Sequence, residues 1–545
     1  MTLRMSGDSA DARSTDDVLF GEGKAPLTAR QARSLFVSHA LSTWNARTYE
    51  FAVILFTAAA FPDTLLMSSL RGLVVTLAAL VGSSAIGSAI DRASSRLRSL
   101  TLTILCNRLS ICAASVAWFW LVRVPEVNGY STSRLAVFAF AVSFGILEKL
   151  SSIGNMLASE RDWVPALADK NGVYTLTVLN SVMRRIDLMC KLVAPLAISM
   201  LITLTSIQTA VVFVAGMSAV SCGIEIITAK WVWDGSSQLR QPKIILFQVP
   251  DRKMRSLSQK IAAGMMHQSA QLREYFDTDI WVPSIALALL HLSTLSYAAS
   301  LTTYLLNSGY SLLLITIARA FGSIVEVSST FIAPATVKRL AKIRTQGYST
   351  TSTSMNADEE NIPRQQEHST GLARSGLWGI TLQWACLVPV ILALWEIDPE
   401  RSIKSESPSL SGIVPRNLPT LACLNAASVT LFFFLSFSRL GLWIFDLTTQ
   451  EITQTGTEAS KRSSFAGTEM SFVSLFELSQ WVFTAAFSKP EQFRWLAVGS
   501  FGAVSVSALA YATWVRQQRG HLFHWYMVKG DCLHNRGSLY STVRC

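Results

Sequence analysis

An all-α polytopic membrane protein, with about twelve spanning helices in two six-helix lobes of the major-facilitator kind, is the fold this sequence predicts. Three observations carry that reading. Half of the 545 residues are hydrophobic and only 15% are charged, whereas a soluble protein dresses its surface with about a quarter charged residues. Mostly apolar stretches recur along the chain, each of a length to cross a hydrocarbon layer that needs about 20 residues. The Lys and Arg residues fall mainly in the connections between these stretches, as topology signals do.

The chain opens on a polar tail, 1–34, of mixed charge and without the apolar core of a signal peptide, so the first span must serve as its own insertion signal. The apolar stretches of the first lobe, 35–232, are 35–61, 67–90, 99–122, 134–158, 172–203 and 207–232. A basic segment, 233–279, follows as a cytosolic linker and carries Arg240, Lys243, Arg252, Lys253, Arg255 and Lys260. The second lobe, 280–515, holds stretches at 280–306, 310–335, 374–396, 418–446, 466–488 and 493–515. Within it, residues 340–373 are rich in Ser, Thr, Gln and Glu and read as a disordered cytosolic loop. Residues 516–545 form a second cytosolic tail. No residue-level repeat relates the halves, so their symmetry rests on the span count.

The net charge of +11 is therefore a matter of topology and anionic-lipid contact, and no nucleic-acid partner is expected. Basic residues cluster in alternate loops: Arg92, Arg96 and Arg98, then Arg161 and Lys170, then the linker, then Lys338, Arg339, Lys342 and Arg344. The opposite loops at 62–66, 204–206 and 307–309 carry none, and those at 123–133 and 397–417 carry a few, the latter offset by Asp398, Glu400 and Glu406. Both termini and the linker are thus expected in the cytosol. Of the eight cysteines, six lie in apolar stretches and none forms a CxxC pair, which reads as reduced side chains packed between helices.

Charged groups inside a membrane are costly, which makes each a candidate for function. Glu50 lies near the middle of the first stretch with Arg47 one turn before it, and His39 about three turns earlier falls on nearly the same face. Two readings stand open for Glu50: a ligand for a cation, or half of an ion pair that merely neutralises Arg47. Asp91-Arg92 closes the second stretch after Gly87 and before Arg96 and Arg98, like the cytosolic gate motif of major-facilitator transporters; an ordinary charged helix end is the alternative. Arg161-Asp162 and Arg184-Arg185 with Asp187 lead into an apolar helix and need protein partners, which suggests a salt-bridged gate. Arg439 and Asp446 in the tenth stretch complete that set.

Several phrases carry a family resemblance. His39-Ala-Leu-Ser-Thr-Trp-x-x-Arg47, Arg161-Asp162-Trp163, Arg184-Arg185-Ile-Asp187 and Arg439-Leu-Gly-Leu-Trp443-x-Phe-Asp446-Leu-Thr resemble, in order and spacing, the landmarks of the ferroportins, solute carrier family 40. The resemblance covers roughly 35–232 and 280–515 and is closer to the plant branch than to the animal one. It implies a two-lobed transporter, export of ferrous iron with other divalent metals tolerated, and no enzymatic activity. Positions that hold a metal-binding Asp and His in the first helix of animal members are Ala46 and Glu50 here, as in the plant branch. A second animal site, with a Cys on an unwound seventh helix and a His on the eleventh, aligns with Ala299 and Gln480.

The resemblance thus implies Glu50 as the remaining first-site anion. Ser218, Ser221 and Glu225 lie near cavity-lining positions of relatives, and Glu477, one turn before Gln480, stands as a substitute ligand. Such a set, rich in oxygen donors, is harder than thiolate and imidazole and shifts preference toward Mn²⁺ or Mg²⁺. His291 reads as a packing histidine, and His521 with His524 as a solvated tail pair. The expected protein is a plasma-membrane monomer, with a vacuolar membrane as the alternative. It has no cofactor, a divalent metal as cargo, the lipid bilayer as its surroundings, and a carboxylate compatible with proton coupling. Two other functions remain in view, a major-facilitator carrier of another solute and a non-transporting receptor. No zincin, nucleophile-elbow or phosphate-loop motif points to an enzyme.

Overall fold

The computed structural model describes residues 27–61, 66–124, 131–169, 172–241, 257–296, 301–302, 304–305, 308, 310, 312–342, 357–396, 426–487 and 492–519. Nearly all of this is helical. The long helices of the first half are α1 (Ala29–Ala60), α2 (Leu66–Arg92), α3 (Arg96–Arg123), α4 (Thr132–Met156), α5 (Leu176–Leu204) and α6 (Ile207–Gly235). Then come α7 (Leu257–Phe276), α8 (Trp281–Leu289), α9 (Leu312–Lys342), α10 (Ala357–Glu396), α11 (Ala426–Gly456), α12 (Arg462–Ala486) and α13 (Phe493–Arg519).

Their starting points are written locally. At α1 the Gln31 amide donates to the Thr28 hydroxyl (3.3 Å) and the Thr28 amide to the Gln31 side chain (2.8 Å), a reciprocal cap. Ser95, Ser131, Thr175 and Ser206 do the same service for α3, α4, α5 and α6 by accepting an orphan amide of the first turn.

Among the described residues nine helices are long and apolar enough to cross a membrane, so the chain is a multi-pass integral membrane protein. Three expected spans fall outside that set for different reasons. α1 and α12 have the length, but polar residues interrupt their apolar run. α8 is too short, because the helix expected over 280–306 stops, after one 3₁₀ turn, at Leu292. Backbone freed in that way needs other partners. Ser500 of α13 supplies them: the Thr294 amide and hydroxyl both meet its hydroxyl at 2.9 Å.

A further difference concerns a polar segment. Residues 357–373, expected as part of a disordered loop, form the start of α10. Their Ala, Glu, Gln and Arg content favours helix, and Gly371, Leu372 and Ala373 are buried, with Gly371 close against Val337 and Ala341 of α9. Within the linker, α7 occupies 257–276. Gln271 of α7 is buried and bonded to Ser84 of α2 and to Ser464 of α12 (3.4 Å).

The apolar core is divided by sequence. Two clusters draw on α1–α6, with Ala466 of α12 added to one of them. The largest cluster draws on α7–α13 and on Leu295, Leu301, Tyr304 and Leu305 between α8 and α9, all in the second half. α2 and α12 meet closely, because Gly87 and Gly467 lack side chains: a Cβ on either would overlap a carbonyl of the facing helix.

Candidate functional site

One end of the bundle is sealed by polar contacts between the two halves. It is the end where α2 stops, α3 starts, α11 stops and α12 starts. There α4 passes through a π-helical segment, Leu157–Trp163, which re-aims Glu160, Arg161 and Asp162. Arg161 is buried and donates to Glu469 of α12 (2.8 Å) and to Thr453 of α11 (3.0 Å). Asp162 holds Arg96 of α3 (3.0 Å). Asp91 accepts the Ser463 and Ser464 amides (3.2 and 2.6 Å) and so caps α12. Arg92 donates to the Ser88 carbonyl of its own helix (3.2 Å).

α5 and α11 continue the seal. Thr177 donates to Glu451 (2.7 Å) and Asn180 to Gln454 (2.6 Å). His368 of α10 also reaches Glu451, at 2.8 Å. One turn on, Arg184 meets Gln450 (3.1 Å) and forms an ion pair with Asp446 (2.8 Å), with its guanidinium over the Trp443 ring. Arg185 donates to Thr330 of α9 (3.1 Å) and stacks on Phe331. Outside the spans, the Lys461 ammonium is held above the usual lysine range by its hydrogen bond to Glu274 of α7, at 2.5 Å.

From this seal a chain of alternating charges runs inward. Asp446 pairs with Arg184, Arg184 with Asp187 (3.6 Å), Asp187 with Arg47 (2.7 Å), and Arg47 with Glu50 (3.0 Å). Asp187 is only 13% exposed, whereas the Glu50 side chain is 63% exposed although it sits in the middle of α1. A carboxylate that open in mid-helix faces a cavity rather than a packed neighbour. Arg47 and Lys149 lie within electrostatic reach both of Glu50 and of Glu477 on α12. Glu477 in turn is 3.4 Å from His291, and both are more than two-fifths exposed.

Of the expected gating residues, Asp91, Arg161, Arg184, Arg185 and Asp446 make contacts between the two halves, whereas Asp162 and Asp187 pair with Arg96, Arg47 and Arg184 of the first half and Arg92 bonds to its own helix. Arg439 pairs with Glu326 of α9 (2.8 Å), inside the second half, and does not bridge to the first. The expected ligand set is not brought together. Ser221 accepts from Asn45 (2.8 Å), Ser218 is fully buried, and Glu225 is paired to Arg108 of α3 at 2.7 Å with neither exposed. Asn45 and Glu50 point about 140° apart around α1, so those serines lie on another side of the helix from Glu50. His39 is buried against the Met183 carbonyl (3.3 Å) and near Glu160 (4.0 Å). Gln480 lies one turn past Glu477, partly buried; Ala299, His521 and His524 lie outside the described residues. Among the described residues no three His, Cys, Asp or Glu side chains converge.

Sequence reasoning missed Glu469, Glu451 and Glu326, and set His291 aside. The signal was available for Glu469 and Glu326, carboxylates inside expected apolar stretches that require a cationic or donor partner, whereas Glu451 lies past the end of the tenth stretch in a polar run.

Comparison with known proteins gives a consistent result. The family profile described as Ferroportin1 (FPN1) matches residues 29–356 and 364–504. Solute carrier family 40 member 1 of Oryza sativa subsp. japonica is 27% identical over 501 residues, 90% of this chain and 92% of that one. Ferroportin of Homo sapiens is 21% identical over 553 residues, covering 89% and 91%. The fold is similar to crystal structures of a bacterial homologue of iron transporter ferroportin, at 19% identity. The TM-score is 0.69 for its outward-facing state, covering 89% of this chain and 99% of that one. For the inward-facing state it is 0.53, covering 90% and 99%.

Proposed function

The chain belongs to the ferroportin family, and on that premise we infer that it is an iron and divalent transition-metal transporter working by alternating access. In this reading α1–α6 and α8–α13 are two six-helix lobes that rock about a cavity between them. The sealed end faces the cytosol together with both termini, the cavity opens outward, and the protein acts as a monomer in the plasma membrane.

One observation carries the proposal. Buried hydrogen bonds and ion pairs close one end, while Glu50, at mid-helix, stays open to the cavity. This is the arrangement of a carrier caught with its central carboxylate accessible from one side only. Glu50 is the first metal ligand of the proposal. Glu477 and His291, 3.4 Å apart on the facing lobe, are the next, with Gln480 one turn away.

His291 changes the expected metal preference. A site of oxygen donors alone suits Mn²⁺ or Mg²⁺, but an added imidazole moves it toward Fe²⁺, Co²⁺ and Ni²⁺. Ser218 and Ser221 drop out of the ligand set in this conformation, since Arg108 already supplies the positive charge that Glu225 requires.

The test is metal uptake into proteoliposomes loaded with a metal-quenched dye, comparing wild type and Glu50→Gln for Fe²⁺, Co²⁺, Ni²⁺ and Mn²⁺. Flux in wild type that collapses in the folded variant is the expected result. No flux of any of the four metals in wild type would remove the metal-transport reading. Flux that survives the substitution would remove Glu50 from the site.

A further inference from the structure

We propose that Arg47 is a tethered counter-cation, which neutralises Glu50 whenever no metal is bound and yields that carboxylate to the incoming metal. The inference rests on the reading of Glu50 as a metal ligand. It replaces the choice between ligand and ion-pair partner with an alternation between the two.

The geometry is asymmetric in the way this requires. Arg47 grips Asp187 with two N–H groups, Nε at 3.1 Å and Nη2 at 2.7 Å. It touches Glu50 with one, Nη1 at 3.0 Å. The firmly held carboxylate is the buried one, and the lightly held carboxylate is the one that faces the cavity. Arg47 can thus release Glu50 without leaving Asp187, and its guanidinium keeps an anionic partner throughout. A guanidinium is never deprotonated in a protein, so the neutralising charge does not depend on pH. Lys149 and Lys191 lie within electrostatic reach of Glu50, but among the described residues Arg47 is the cation in hydrogen-bond contact with it.

The consequence is a cycle in which Glu50 has a cationic partner at every stage. With metal bound, Glu50 is neutralised by the cargo. After release, an unpaired carboxylate would have to pass through the occluded, water-poor intermediate, where lone charges are strongly disfavoured. Closing onto Arg47 removes that penalty, so the empty carrier returns. Competition for Glu50 also weakens metal affinity, which favours release.

Two transport modes separate this role from a structural one. Exchange of radiolabelled Co²⁺ outside for unlabelled Co²⁺ inside needs only the loaded carrier, whereas net uptake into metal-free vesicles needs the empty one to return. Arg47→Gln is expected to lower the ratio of net uptake to exchange by about tenfold or more and to tighten Co²⁺ binding in detergent. Asp187→Asn frees Arg47 to hold Glu50 more firmly and is expected to weaken Co²⁺ binding, the opposite sign. Arg47→Lys keeps the charge and should restore most of the ratio.

Equal loss of net uptake and exchange in Arg47→Gln would overturn the proposal. So would Co²⁺ affinities that fall in both Arg47→Gln and Asp187→Asn. A wild-type ratio that rises steeply with acidity would assign the neutralising role to a proton instead. Wild type with neither mode would defeat the metal-transport reading itself, a failure distinguishable from all of these.

Discussion

Arg161→Ala isolates the seal. In the wild type Arg161 and Glu469 are 5% and 1% exposed and 2.8 Å apart, and among the described residues Glu469 keeps one other hydrogen-bond partner, Ser284 at 2.6 Å. Removing the guanidinium leaves a buried carboxylate with a single hydroxyl donor. Breaking a buried pair in this way costs about 3–5 kcal/mol. The cost falls on the sealed conformation only, because opening that end to the cytosol hydrates Glu469. At about 1.4 kcal/mol for each factor of ten, the sealed-to-open ratio should fall by a hundredfold to a few thousandfold.

Ser463 supplies a reporter for that shift. It is fully buried at the α2–α12 contact, and among the described residues its hydroxyl has no hydrogen-bond partner. In a background without other cysteines, Ser463→Cys should react with a maleimide at a rate set by the open population. The rate should rise by about two orders of magnitude or more in Arg161→Ala, up to the point where the open form dominates. An unchanged labelling rate in a folded Arg161→Ala protein would refute the assignment of this pair to the gate.

Other consequences are simpler to state. Gly87→Val places a side chain against the Ser463 carbonyl, so it too should raise Ser463→Cys labelling, while Gly216→Ala, which meets nothing within 4 Å, should not. Arg108→Met strands Glu225, which is 0% exposed, and should destabilise the protein by about 3–5 kcal/mol, read as a lower Tm in detergent. Adding Glu225→Leu to that variant should recover most of the loss, because an apolar pair of similar volume is often as stable as the buried ion pair it replaces.

Nine of the twelve expected spans were legible, among the described residues, because apolar length is a local property. The Thr and Ser caps before α1 and α3–α6 are local as well, but the apolar stretches did not use them: the first was expected from 35, whereas α1 begins at Ala29. What was not legible depends on distant partners. No Pro or Gly marks the end of α8 in Leu-His-Leu-Ser-Thr; the break is stabilised by Ser500, some two hundred residues away in sequence. Asp91 could be read as a cap, but only the fold names α12 as the helix it caps. Ser218, Ser221 and Glu225 resembled cavity residues, and the local sequence of α6 held nothing to say that Arg108 of α3 fills that place. Arg108 was itself the missed clue, since an arginine deep in an apolar stretch demands a buried carboxylate somewhere else.

The division of the core explains why such a seal can open. Apolar burial lies almost wholly within each half, so separating the halves at one end exposes little hydrophobic surface. Across the gate the contacts are mostly ions, amides and hydroxyls: Arg161 with Glu469, Asn180 with Gln454, Thr177 with Glu451, Arg184 with Asp446. Each is costly to leave unpaired in a dry environment but readily solvated by water, so the net contribution of each bond is only about 1–3 kcal/mol. A sum of such exchangeable terms can hold one end shut and still be balanced by a matching set at the other. The same polarity carries the signal inward. Arg184 and Asp187 belong both to the seal and to the chain that ends on Arg47 and Glu50, so whatever draws Arg47 away from Glu50 also alters the charge that Arg184 feels. On the proposed reading of Glu50 as a metal ligand, binding at mid-membrane and closure at the end would be coupled through these shared carboxylates.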